Sequence, residues 1–74
     1  MKRPQEEIAC YNRALELDPR FALAWYGKGF ALGFLDKPEE GIACLRKFIK
    51  LAPPHLASNV GMAKVMISHL SDQR

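Results

Sequence analysis

The chain has 74 residues, enough for one domain, and at this length only about 60% of the unfolded surface is buried on folding. Apolar residues make up 49% and charged residues 26%, near globular averages, so composition excludes intrinsic disorder as the default state. The net charge of +3 comes from eleven Lys and Arg scattered among eight acids with no run of like charge, which disfavours nucleic acid as a partner.

The first predicted element is a helix over 4–17. Pro4 stands where a first helical residue is expected, and Gln5, Glu6 and Glu7 follow it, the two carboxylates suiting the positive helix N-terminus. Ile8, Tyr11 and Leu15 recur at three- and four-residue spacing, the mark of an amphipathic helix. Asp18 precedes Pro19 and is pushed out of helical geometry, which ends the element. The second helix, 21–35, is almost wholly apolar but contains Lys28; it is too short to cross a bilayer and lacks the pattern of a signal peptide. Neither export nor membrane anchoring is therefore expected. Gly27, Gly29 and Gly33 each cost about 1 kcal/mol relative to Ala in a helix interior, so this helix depends on packing. The third helix, 38–51, begins at Pro38 with Glu39 and Glu40. It carries Ile42, Leu45 and Ile49 on one face and gathers Arg46, Lys47 and Lys50 towards its negative end, before Pro53. A fourth helix is predicted over 56–71. No stretch alternates with period two, and short turns make neighbouring helices antiparallel, so the predicted fold class is all-α.

Displacing the chain by 34 residues places Pro4 on Pro38, Glu6 on Glu40, and Ile8, Ala9 and Cys10 on Ile42, Ala43 and Cys44. Without a gap, Leu17 then meets Leu51, Pro19 meets Pro53 and Gly27 meets Gly61. Prolines, apolar positions and a tripeptide that all keep one offset identify an internal repeat.

The pattern resembles the tetratricopeptide repeat, whose signature is Trp-x2-Leu-Gly-x2-Tyr on a first helix, then Ala-x3-Phe and a closing Pro on a second. Trp25, Gly29 and Leu32, followed by Gly41, Leu45 and Pro53, stand at those positions, with Lys28 in place of the signature Leu. Tyr11, Ala14 and Pro19 supply the second-helix positions of a preceding half unit, where Glu7 replaces the small Ala. Asn59, Met62, Ala63 and Met66 take the first-helix positions of a following half unit. The resemblance implies antiparallel helix-turn-helix repeats, a four-helix fragment of an α-solenoid forming one domain: half repeat 4–19, full repeat 22–55, half repeat 56–71. Gly29 and Gly41 then mark a close helix–helix approach. Glu7 is expected to face solvent as part of an end cap, and Phe48, at a position the family keeps small, either finds extra room or points partly outward.

No catalytic constellation is visible: no Ser, Cys or Thr has a recognisable nucleophile setting, and His55 and His69 are far apart in sequence. The glycines of 27–33 lack the order of a phosphate loop and follow no strand. Cys10 and Cys44 lack the paired short spacings of a zinc site and are too few for a disulfide scaffold; they are read as reduced and cytoplasmic, with no metal and no cofactor.

The family resemblance implies protein binding, with the first helix of each pair on a concave face. With Trp25, Gly29 and Leu32 committed to the core, the adjoining stripe is Leu23, Tyr26, Phe30, Gly33 and Phe34, continued on the last helix by Val60, Lys64 and Ile67. These eight are the candidate peptide-binding residues for an apolar or amphipathic segment of another protein. Family members that grip a C-terminal carboxylate carry Lys and Asn where this helix has Tyr26 and Phe30, so a carboxylate clamp is not expected. The alternatives are that the stripe is covered by the protein itself, by a second copy in a homodimer or as the truncated end of a larger array, or that Arg13, Arg20, Lys47, Lys50 and Lys64 bind single-stranded RNA.

Overall fold

The computed structural model describes residues 3–72 as four helices: α1 (Pro4–Leu17), α2 (Ala22–Phe34), α3 (Pro38–Leu51) and α4 (Ala57–Ser71), the last preceded by a single 3₁₀ turn at Pro54–Leu56. Among the described residues there is no strand. The chain is all-α, in the antiparallel arrangement that its short turns predict. Pro4 and Pro38 each sit in the first turn, where a missing N–H costs nothing, and acidic pairs follow both: Glu6 and Glu7, then Glu39 and Glu40. Asp18 and Ala52, each before a proline, are extended and close α1 and α3. Phe21 and Leu35 flank α2 as its caps rather than lying inside it.

The α2–α3 turn uses a device that the residue types conceal. Asp36 adopts a left-handed conformation, φ 59°, while Lys37 N–H donates to the Leu32 carbonyl at 3.0 Å and Asp36 N–H to the Gly33 carbonyl at 3.2 Å. This is a Schellman closure with an aspartate in the place usually taken by glycine, and it satisfies carbonyls that the helix end would otherwise leave unpaired. It turns the chain within two residues and sets α3 back against α2.

Helices α2 and α3 approach each other closely. A Cβ built on Gly29 would lie 2.6 Å from Leu45 Cγ and 3.2 Å from the Gly41 carbonyl oxygen; one on Gly41 would lie 3.0 Å from the Gly29 carbonyl oxygen. Any side chain at either position therefore forces the helices apart. Leu45, Phe48, Ala63 and Leu70 form the fully buried centre with Ile42 and Ala22 around them. Phe48 is 0% exposed, which decides between the two alternatives for it: it finds room, resting on the Tyr26 ring at 4.8 Å between centroids in the cluster that also holds the small Ala63.

The outer helices are attached differently. Helix α4 packs on both α3 and α2, whereas α1, among the described residues, packs on α2 alone and buries no residue fully. The α1–α2 contact places the Tyr11 ring directly over Gly27, where a methyl group would collide with it. Glu7 is half-buried rather than fully turned to solvent, because its face of α1 looks along α2; no helix lies across it.

Candidate interaction surface

Helix α2 touches α1, α3 and α4, yet one of its faces stays open. An apolar groove of about 560 Å³ runs along that face, walled by Glu7 and Tyr11 of α1 on one side and by Asn59 and Met62 of α4 on the other. Leu23, Tyr26, Phe30 and Phe34 lie along it together with Ala24, Gly27 and Ala31, and Phe21 stands at its end. Phe34 is 74% exposed and Met62 55%, and Leu23 and Phe21 are also exposed. Tyr26 and Phe30 are half-buried, their rings 4.8 Å apart and tilted by 59°. Tyr26 thus serves two surfaces, one edge on Phe48 in the core and the rest towards the groove.

The structure brings together four of the eight candidate residues, Leu23, Tyr26, Phe30 and Phe34. The other four do not line this groove. Gly33 lies beneath the Met66 methyl group and Leu70, where α4 crosses the end of α2. Val60 and Ile67 pack against the core, and Lys64 is exposed elsewhere on α4. The reason is the rotation of α4 about its axis. It packs through Ala63 and Leu70, with Leu56 just before it, a seven-residue stripe flanked by Val60 and Ile67, so Val60 and Ile67 turn into the molecule while Lys64 stays exposed. Met62 and Asn59 take the groove edge instead. A signal for Met62 existed in the sequence: it is a large apolar side chain lying off that seven-residue stripe. Tyr11 and Glu7 carried no such signal, since their place in the groove follows from α1 standing alone on α2.

The groove contains one carboxylate, Glu7, one phenol that belongs to it alone, Tyr11, and one amide, Asn59; the remaining lining is apolar apart from the Tyr26 hydroxyl. This composition can bury hydrocarbon and orient it by a few polar contacts, and it holds no nucleophile beside a base. Neither cysteine lines it. Both are free thiols, Cys10 exposed and Cys44 buried, and burial pushes the Cys44 thiol above its ordinary pKa, with Lys28 opposing and Glu40 adding to the shift. Among the described residues no cluster of three His, Cys, Asp or Glu side chains is placed to hold a metal ion, and no helix is long and apolar enough to cross a membrane. The basic residues do not form one track: Arg20, Lys47 and Lys50 share a separate groove, Arg13 lies beside Glu16 on the outer face of α1, and Lys64 is on α4.

Helix pairs joined by a tight glycine contact, closed by prolines and stacked on a neighbouring helix are the architecture that the internal repeat requires, and residues 10–43, a window one repeat long, match the tetratricopeptide repeat family model. The match supports a tetratricopeptide repeat protein. No curated protein and no solved structure matches it. Tetratricopeptide repeats are in general protein–protein interaction modules and not enzymes, and the groove chemistry is of the kind such modules use. Within the repeat, Leu45 lies against Gly29 at the Gly29–Gly41 contact, and the Trp25 indole N–H donates to the Pro19 carbonyl at 2.9 Å, tying α2 to the turn that precedes it.

Proposed function

We propose that this tetratricopeptide repeat chain is a scaffold-type interaction module that binds an apolar or amphipathic segment of a partner protein in the groove between α1, α2 and α4. The observation that carries this reading is the exposure of Phe34 and Met62 at the two sides of a groove floored by Tyr26 and Phe30. A patch of large apolar side chains left open in so small a protein marks a contact surface. Covering Phe34 fully contributes about 1.5 to 3 kcal/mol, enough by itself to change an affinity by tenfold or more. A segment with an apolar face at helical spacing, or an extended one with alternate apolar side chains, presents matching groups. The free thiols of Cys10 and Cys44 support a reducing, cytoplasmic setting.

The test is selection of binders from a random displayed peptide library, followed by NMR shift mapping on the chain. Selected peptides are expected to be apolar or amphipathic, to perturb Leu23, Phe30, Phe34 and Met62, and to bind at least ~10-fold more weakly to Phe34→Ser combined with Met62→Ser. Both side chains are exposed, so the variant keeps its fold. Tyr26→Ala is a poor probe, because that ring also supports Phe48. Peptides that perturb other surfaces, or a groove that in solution is already covered by a second copy of the chain, overturn the proposal.

A further inference from the structure

On the opposite flank of α2 lies a second groove, of about 610 Å³, formed where α3 passes the α1–α2 turn. Its floor is largely apolar: Trp25 from α2, Ala43, Leu51 and the Cys44 thiol from α3, and Pro19 from the turn. Its rim is cationic. Arg20, Lys47 and Lys50 are all exposed and line it, and Lys28 stands 5.7 Å from the centre of the Trp25 ring. No carboxylate lines the groove among the described residues. Asp18 accepts a hydrogen bond from the Arg20 backbone N–H at 3.1 Å, and Glu40 lies a turn earlier on α3, beside Cys44, without lining the groove. Three positive charges around an apolar floor, in a chain whose charges are elsewhere mixed, make a local field that the folded core does not require.

We propose that this groove is a second docking site and that its occupant is an acidic segment of a partner protein carrying an apolar side chain between its carboxylates. The apolar side chain would lie against Trp25 and Leu51 while flanking carboxylates meet Arg20, Lys47 and Lys50. Charge complementarity identifies the partner's sign, and the apolar floor identifies it as peptide. Single-stranded nucleic acid needs a continuing cationic track and open aromatic faces for bases. Here Arg13 and Lys64 lie outside the groove, the indole N–H is committed to Pro19, and Lys28 occupies a position over the ring. The site is independent of the α1–α2–α4 groove: the two share no lining residue.

Trp25 is the chain's single tryptophan, so its fluorescence reports occupancy of this groove directly. The probes are a peptide of alternating Glu and Leu, the same peptide with Lys in place of Glu, and an oligouridylate. The Glu–Leu peptide is expected to shift Trp25 emission to saturation, to bind more weakly as salt rises, and to lose affinity by about tenfold with Lys47→Glu combined with Lys50→Glu. Lys47→Gln combined with Lys50→Gln gives a smaller loss in the same direction, and Phe34→Ser, in the other groove, gives none. Circular dichroism of each variant confirms the fold, which both exposed lysines leave intact. Equal binding of the Lys–Leu peptide, tighter binding of the oligouridylate, no saturable change in emission, or indifference to charge reversal each overturns the proposal.

Discussion

Helices α1 and α3 carry the same signals, a first-turn proline, an acidic pair and the tripeptide Ile-Ala-Cys, yet the fold treats them differently. In α3 five residues are buried: Gly41, Ile42, Cys44, Leu45 and Phe48. In α1 none is, and the residues one repeat earlier are Glu7, Ile8, Cys10, Tyr11 and Ala14. The difference is the number of neighbours, since α3 lies between α2 and α4 whereas α1, among the described residues, has α2 alone. Local sequence makes both segments helical, but burial is conferred by the helices on either side, as expected of a quasi-one-dimensional stack whose stability is a sum of nearest-neighbour terms. The residue types follow that outcome. Where α3 has a glycine backed onto the Gly29 carbonyl, α1 has a glutamate, and where α3 has a buried phenylalanine, α1 has an alanine.

The largest effect that can break this comparison comes from truncating the side chain with the most neighbours. Phe48→Ala removes a ring that is 0% exposed and supports Tyr26, and should cost about 3 to 5 kcal/mol, which in so small a domain unfolds most of the population. Tyr11→Ala, on the half-buried side of α1, should cost less than half as much in chemical denaturation. Equal losses at the two positions would show that α1 is as integral to the core as α3. A smaller effect separates the two equivalent cysteines. In the native protein Cys10 is exposed and should react at once with a thiol reagent, while Cys44 is buried and burial holds its thiol above its ordinary pKa. Labelling of Cys44 should be about a hundredfold slower and should reach the Cys10 rate only in denaturant. The raised pKa also carries a sign. Because the unfolded thiol titrates first, near 9.0, while the folded one still holds its proton, the fold should lose stability as pH rises through that range.

Much of this was legible in the sequence for definite reasons. Prolines and acidic first turns set the helix starts, residues before proline set the ends, and the 34-residue offset set the pairing, so the predicted helices differ from the observed ones by a residue at most at either end. The Gly29–Gly41 approach followed from the resemblance to the tetratricopeptide repeat. The rest depends on how faces turn. The position of Phe48 could not be read, because whether an oversized residue finds room depends on the small side chain opposite it, here in the cluster with Ala63. The repeat offset carries the α2 stripe onto Val60, Lys64 and Ile67, whereas Asn59 and Met62 line the groove from α4, because the offset gives register along a helix while its rotation is fixed by which stripe finds the deepest packing. The left-handed Asp36 was hidden by its residue type, since aspartate is a less frequent occupant of that position than glycine.

The smallest expected effect bears most directly on how the two ends differ. Glu7 occupies on α1 the place that Gly41 occupies on α3, and at Gly41 even a methyl group would press on the Gly29 carbonyl. If a helix from a second molecule were to pack on α1 as α2 packs on α3, the carboxylate of Glu7 would be buried without a partner, and its removal would stabilise the assembly by several kcal/mol. The counterpart required on the other molecule is α4 presenting Ala63 at the closest approach, but Ala63 is 0% exposed within its own fold, turned towards α3 and α2. The surface that would extend the array end to end is therefore already in use. Glu7→Ala should accordingly change stability by less than ~0.5 kcal/mol and leave the mass in solution unchanged, because it alters only a half-buried side chain on an open groove wall. Self-association, where it occurs, should pair the exposed stripe around Phe34 into a closed dimer, since the same patch then meets itself and leaves no free edge for further growth. Light scattering over a concentration series measures this for both proteins. Growth beyond a dimer that Glu7→Ala strengthens would mean that α1 acquires a second neighbour after all, and that the contrast between α1 and α3 holds only for the isolated chain.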